Sequence, residues 1–285
     1  MVTSLFISLF NITGEQMNKI DYQLKNVLLS AKDVSLQYTG RQILRDINFE
    51  IRDVVRANVD QGQVVALVGR SGLGKTQLFK ILSGLMRPTT GRVLITEDQH
   101  LVTPGEVGII PQNYILFDHR TIYNNLKRGL SHCGKKYDST TADSIIRKYA
   151  TDFGLSEQLN KYPAQLSGGQ KQRVSIIQQI LTDNKFILLD EPFSGLDTLM
   201  KDKVIELLLK ISVLNEYNTL ILVSHDLESA MAIADTVWLL AKEPDKEGAT
   251  ITKQYDLKEM GMAWDPKIRE RSDFQHFVRE VTNLL

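Results

Sequence analysis

The sequence predicts an α/β fold with a mainly parallel core sheet, an antiparallel β lobe and a helical subdomain. Three patterns lead there. Residues 64–68, 186–189, 220–223 and 237–240 are continuous apolar runs, as expected of strands buried on both faces. Between them apolar residues return at helical spacing: Leu78, Phe79, Ile81, Leu82 and Leu85 after the first run, Val204, Leu207, Leu208 and Ile211 after the second. Strands that alternate with helices build a parallel sheet covered on both faces. The third pattern is a period of two between Asp33 and Ile51, carried by Val34, Leu36 and Tyr38 and then by Ile47, Phe49 and Ile51. That period marks antiparallel strands with one face buried.

The remaining elements follow in order. Residues 1–30 carry no clear pattern and read as an N-terminal segment compatible with disorder, with both Met1 and Met17 open as the start. The main domain spans 31–244. Within it, residues 53–60 look like a short insertion before the first buried strand, and a turn from Pro88 to Gly91 leads into a strand at 93–96. Residues 121–166 are mostly helical, and 113–166 is taken as the helical subdomain. Residues 245–285 are more polar and read as a C-terminal extension.

Composition bounds the function. A chain of 285 residues can bury one large domain or two lobes around a shared core. Lys plus Arg and Asp plus Glu both number 34, a zero balance that gives no support for bulk nucleic-acid binding. The single cysteine, Cys133, can form neither an internal disulfide nor a zinc cluster. No apolar run approaches the roughly 20 residues of a membrane-spanning helix. The apolar stretch 5–10 lacks the basic residue before it and the small-residue site after it that a signal peptide needs. The expectation is a cytoplasmic chain that reaches a membrane only through partners.

Gly69-Arg70-Ser71-Gly72-Leu73-Gly74-Lys75-Thr76 fits GxxxxGK(S/T) between a buried strand and a helix. This is the context of a P-loop NTPase. Glycines let backbone N–H groups converge on phosphate oxygens, and the helix start adds its positive dipole end. Lys75 would reach the β- and γ-phosphates, and the Thr76 hydroxyl suits Mg²⁺, a hard cation. The strand at 186–189 ends in Asp190 and Glu191. Carboxyl ends of such strands face the ligand crevice. There Asp190 can hold Mg²⁺ through water and Glu191 can activate the attacking water.

Leu166-Ser167-Gly168-Gly169-Gln170 precedes a helix expected to begin near Lys171. Ser167 is a good N-cap, and the two glycines leave the backbone bare, so this is a second anion-binding helix start. It has no second γ-phosphate to bind inside its own chain.

With these motifs the sequence resembles the ABC ATPase family from about Ala31 to Leu240. Tyr38 matches the adenine-stacking aromatic. Residues 69–76 match the Walker A loop, Gln112 in Gly108-Ile109-Ile110-Pro111-Gln112 the Q-loop, and 166–170 the signature. Residues 186–191 match Walker B, Ser194-Gly195-Leu196-Asp197 the D-loop, and His225 the switch histidine. The resemblance implies that ATP is held by Tyr38, Gly69, Arg70, Ser71, Gly72, Leu73, Gly74, Lys75, Thr76 and Gln77. It implies Mg²⁺ on Thr76, Gln112 and Asp190, and catalytic roles for Glu191, His225, Lys75 and Gln112. It also implies completion of each site in trans by Ser167, Gly168, Gly169, Gln170 and Asp197 of a second ATPase subunit, a homodimer being the commoner arrangement.

The implied partners are transmembrane permease subunits, docked partly by Phe117, Ile122, Tyr123 and Leu126, and a solute-binding protein reached through them. Internal packing is the alternative for those four residues. The implied place is the inner face of the cell membrane. The segment after Gln112 resembles bacterial import ATPases, and DEPFSGLD with the final extension resembles those for nitrate, sulfonate or taurine. Gln77 departs from the hydroxyl residue common after Thr76. The competing reading is a non-transport ABC ATPase acting on DNA or ribosomes. It is disfavoured by the neutral charge and by the absence of a long coiled-coil insertion or a tandem domain.

Overall fold

The computed structural model describes residues 21–56, 62–95, 100–212, 219–265 and 267–285. Its strands are β1 (Tyr22–Tyr38), β2 (Arg41–Arg56), β3 (Gln63–Val68), β4 (Thr90–Ile95), β5 (His100–Leu101), β6 (Val107–Ile110), β7 (Phe186–Asp190), β8 (Thr219–Ser224), β9 (Thr236–Lys242) and β10 (Ala249–Asp256). Its helices are α1 (Lys75–Leu82), α2 (Ile122–Leu130), α3 (Ser139–Asp152), α4 (Gly168–Ile180), α5 (Thr198–Ser212), α6 (Leu227–Met231) and α7 (Ser272–Asn283). One sheet runs β5-β4-β1-β2-β10-β9-β3-β8-β7-β6. The stretch β9-β3-β8-β7-β6 is parallel, and β5-β4-β1-β2 is antiparallel.

The apolar runs are continuous because two cores face them. Along β3, Val64, Ala66 and Val68 enter one core while Val65 and Leu67 enter the other. The same alternation divides Ile187 and Leu189 from Phe186 and Leu188 on β7. One core joins the sheet to the helical elements, and the other joins it to α1 and the antiparallel lobe.

Three expected boundaries shift. Strand β1 begins at Tyr22, so a boundary at residue 31 falls inside it. Residues 1–20 lie outside the described residues. Strand β2 continues to Arg56, inside the stretch read as an insertion, because Arg56 is drawn into the core by Asp235 at 2.7 Å. Residues 57–60 lie outside the described residues, as does Thr96 of the strand expected at 93–96. The helical packing does not stop at 166, since α4 crosses α2 so closely that a Cβ on Gly129 would stand 2.5 Å from the Gln178 carbonyl oxygen.

The largest departure is at residues 245–285, which are woven into the fold. β10 pairs antiparallel with β9 and touches β2 at Ala249–Leu44, joining the two halves of the sheet. Its residues are half exposed, so ATITKQYD carries no apolar run for periodicity to find. Among the described residues no helix is long and apolar enough to cross a membrane.

Candidate active site

The loop between β3 and α1 is shaped by Gly74, which caps α1 in the left-handed region at φ 92°. A Cβ there would also stand 2.9 Å from Ile43 Cγ2, so glycine is required twice over. The cap therefore brings no side chain. The first-turn amides of α2, α3, α4 and α6 are bound by Thr121, Asp138, Ser167 and Asp226 respectively, whereas those of α1 are left for an outside acceptor. Lys75 is buried beside them. Its Nζ donates to the carbonyls of Gly69 at 2.8 Å and Arg70 at 3.1 Å, and lies 3.5 Å from Glu191 Oε1. A helix start with open amides and a buried ammonium fits a polyphosphate.

Opposite the loop, β7 ends between β6 and β8. Glu191 follows it with φ 52°, an uncommon conformation for a side-chain-bearing residue, and its N–H donates to the Val223 carbonyl at 2.8 Å. Its Oε2 accepts from His225 Nδ1 at 2.7 Å, from the His225 backbone N–H at 3.1 Å and from the Ser224 hydroxyl at 3.4 Å. Strand pairing creates this dyad, since β7 and β8 are neighbours in register.

Asp190 sits deeper and is half-buried. Its Oδ1 is buried without a partner. Burial pushes its carboxyl above the ordinary carboxylate range, and the Glu191 charge pushes the same way. Lys75 and a hydrogen bond with the Thr76 side chain oppose them only in part. Among the described residues no group of three or more His, Cys, Asp or Glu could cage a metal. A lone carboxylate beside a hydroxyl instead suits Mg²⁺, which keeps waters and takes phosphate oxygens as ligands.

A stability prediction follows. Protons bind this carboxyl more tightly in the folded chain than in the unfolded one. Its charge therefore lowers stability above the raised folded value, and the deficit disappears as pH falls toward the unfolded value. Asp190→Asn is expected to raise the Tm of the nucleotide-free protein at neutral pH, with the gain shrinking on acidification. Thermal melts from pH 4 to 8 measure it, and an unchanged or lower Tm at neutral pH counts against this reading.

The expected residues divide into two places. Tyr38, Ser71, Gly72, Gly74, Lys75, Thr76, Gln77, Gln112, Glu191 and His225 line one cleft of about 680 Å³. Tyr38 is 43% exposed there, with its hydroxyl 3.1 Å from Met86 Sδ. Gln112 donates to the Ser194 hydroxyl at 3.2 Å across the cleft. Ile43 and Ser194 also line it. Ser194 stood within the DEPFSGLD segment, but nothing in the sequence singled out Ile43, which arrives from the neighbouring lobe. Gly69 is buried against β9, where a Cβ would stand 2.6 Å from the Leu240 carbonyl oxygen. Leu73 packs into the lobe-side core, and Arg70 is exposed.

The signature stands elsewhere. Ser167 and Gly169 border a second cleft with Arg173, Met200 and Lys203. Helix α4 starts at Gly168, three residues before the expected Lys171, because Ser167 and Gln170 form a reciprocal cap. Ser167 Oγ accepts from the Gln170 N–H at 3.3 Å, and Gln170 Oε1 accepts from the Ser167 N–H at 2.9 Å. Asp197 caps the start of α5 by accepting from the Met200 N–H at 2.9 Å. Arg173 donates to the carbonyls of Gly169 at 3.3 Å and Phe153 at 3.2 Å, which ties the start of α4 to the end of α3. Ile122 and Leu126 are fully buried, so they serve internal packing and not docking, whereas Phe117 is 41% exposed and Ile115 74%.

Comparison with known proteins gives one answer. The family model described as "ABC transporter" matches residues 53–194. The spermidine/putrescine import ATP-binding protein of Spiroplasma citri is 34% identical over 213 residues, 74% of this chain and 58% of that protein. The match thus spans under two thirds of that relative's length. The thiamine import ATP-binding protein of Yersinia pseudotuberculosis is 34% identical over 197 residues, 68% of this chain and 82% of that one. A solved structure described as a dimeric, post-hydrolysis ATP-binding cassette bound to ADP and phosphate superposes with a TM-score of 0.65 at 23% identity, covering 80% of this chain and 98% of its own. The motifs, the cleft and these likenesses agree that the chain belongs to the ABC transporter ATP-binding family.

Proposed function

We propose that this chain is the ATP-hydrolysing subunit that energises import of a small solute through separate transmembrane permease subunits. The observation that carries the reading is the division of the machinery. One cleft joins an uncapped glycine loop and Lys75 to the Glu191–His225 pair, while the Ser167 helix start lies outside it. A γ-phosphate in the cleft still lacks a lid, and a second copy placed head to tail supplies it from Ser167, Gly168, Gly169, Gln170 and Asp197.

The roles then follow the geometry. Tyr38 stacks on the adenine from the end of β1. Gly69, Arg70, Ser71, Gly72, Leu73, Gly74, Thr76 and Gln77 form or flank the loop whose amides bind the phosphates. Lys75 exchanges its carbonyl contacts for phosphate oxygens. Thr76, Gln112 and Asp190 hold Mg²⁺, which when bound neutralises charge on the β- and γ-phosphates. Glu191 takes a proton from the attacking water as its oxygen bonds the γ-phosphorus and the bond to the β–γ bridging oxygen breaks, giving ADP and phosphate. His225 orients that carboxylate.

The exposed Ile115 and Phe117, close to Gln112, are the side chains offered to a permease, and a solute-binding protein acts through that permease. The place of action is the inner face of the membrane, held there by the permease. Import is supported by the names of the relatives, polyamine and thiamine import being theirs.

The test is direct. With Mg²⁺ and ATP the purified chain is expected to release phosphate. Lys75→Ala is expected to weaken nucleotide binding by about ten- to a hundredfold, the worth of one or two charge-assisted bonds. Calorimetric titration measures it. A wild-type chain that neither binds nor hydrolyses ATP overturns the reading.

A further inference from the structure

The carboxyl-terminal segment lies beyond the family match at 53–194 and outside the nucleotide cleft, yet it is firmly seated. Phe274, Phe277 and Val281 of α7 are buried in the same core as Ala230 and Met231 of α6, and Phe277 meets Tyr255 of β10 edge-on at 5.0 Å. The short 3₁₀ turn Ile268–Glu270 precedes α7. From it Arg269 reaches two helices at once. Its Nε donates to Glu228 Oε1 at 3.0 Å and its Nη1 to Asp202 Oδ1 at 2.5 Å.

Each of those helices follows a loop that reaches the cleft, α5 coming four residues after Ser194 and α6 coming after His225, both of which line it. Asp202 belongs to α5, which begins directly after Asp197. Glu228 belongs to α6, which begins at Leu227, two residues after His225. A second ion pair spans the same gap, Lys201 Nζ to Asp226 Oδ2 at 2.5 Å. Asp226 also caps α6 by accepting from the Ser229 N–H at 3.1 Å. The His225 side chain is 48% exposed, so packing does not fix the ring. What fixes it is the bond to Glu191 and the position of a helix only five residues long. A helix so short is marginal by itself and depends on tertiary contacts.

We propose that Arg269 is a positioning residue for ATP turnover. By clasping α5 and α6 together it holds the start of α6 where His225 Nδ1 meets Glu191. This rests on the reading of Glu191 and His225 as the pair that handles the attacking water. Arginine suits the task because its planar fork satisfies two carboxylates on different helices, which the point charge of lysine does not. The contacts are partly exposed, so their worth to overall stability is small. Their effect on geometry is larger, because misplacement of a catalytic group by about 1 Å can cost about a hundredfold in rate. The Lys201–Asp226 pair survives loss of Arg269, which moderates the effect.

Steady-state ATP hydrolysis by the full chain tests this. Arg269→Ala is expected to lower kcat by about three- to tenfold with KM for ATP within about twofold of wild type, the mark of an interaction that matters in the transition state. Arg269→Lys falls between. Asp202→Asn and Glu228→Gln each lower kcat, and the double variant is no worse than the poorer single one, since a clasp with one end free couples nothing. The single carboxylate variants keep the test available if Arg269→Ala does not fold. An unchanged kcat in Arg269→Ala, or losses that multiply in the double variant, overturns the proposal while leaving ATP hydrolysis by the wild type intact. A wild type without turnover overturns the functional reading instead.

Discussion

Glu191→Gln is expected to lower ATP turnover by at least about a hundredfold while nucleotide still binds. The substitution keeps the size and an acceptor oxygen, so the bonds from the His225 backbone N–H and the Ser224 hydroxyl have a partner. It removes the negative charge that faces Lys75 at 3.5 Å and the basicity needed to take a proton from water. It leaves the glycine loop, Lys75 and Thr76 as they are, so phosphate binding is retained. Loss of proton transfer alone is worth about 10² to 10⁴ in rate. A single-turnover measurement separates this from slow product release: the variant is expected to hold unhydrolysed ATP, and a subunit pair closed on ATP accumulates in size-exclusion chromatography. Turnover at the wild-type rate assigns the water-activating role to another residue.

Asp235→Ala is expected to destabilise the fold by about 3–5 kcal/mol. Asp235 is 2% exposed and receives three donors: Arg56 Nη2 at 2.7 Å, the Val64 N–H at 2.6 Å and the Trp264 indole N–H. The Arg56 side chain is wholly buried and lies 4.5 Å from the Trp264 ring. Breaking one partner of a buried pair removes most of what compensates the other charge's loss of water, and Arg56 then keeps its bond to the Gly62 carbonyl at 3.1 Å, which is neutral, so the loss exceeds the net worth of the pair. For a chain of this size the shift in Tm is about 10 °C. Asp235→Asn, which keeps an acceptor but not the charge, is expected to cost less. A loss under about 1 kcal/mol for the alanine variant would mean that the remaining contacts of Arg56 suffice to hold its charge in the core. The network ties β2, the start of β3 and the C-terminal segment at a single point, so the stretch read as an insertion and the stretch read as an extension meet in the core.

Much of the site was legible because its chemistry is local. Gly74, Lys75 and Thr76 stand next to one another, and a glycine loop between a buried strand and a helix has one efficient use. Asp190 and Glu191 end a strand whose apolar run is complete in four letters. Ser167 and Gln170 satisfy each other across one helical turn, a pairing readable from their three-residue spacing. The exposed and the buried side chains of this stretch were not separable by pattern. Ile122, Leu126 and Phe117 are all apolar and close in sequence, and only the packing of α2 against α4 buries the first two.

The sequence by itself determined the α/β class, the two-faced burial of the core strands, the phosphate loop, the acidic strand end and the order in which they occur. Each of these is written in neighbouring residues or in a repeat of two or 3.6 positions. Tertiary structure alone decided what long-range pairing decides. It put His225 on Glu191, although 34 positions separate them, because β7 and β8 lie side by side. It drew Arg56 to Asp235 across 179 positions and set Arg269 between Asp202 and Glu228. It made a half-exposed polar strand, β10, the join between two halves of a sheet. Polar residues at long separation carry no periodicity, so their partners exist only once the chain has folded.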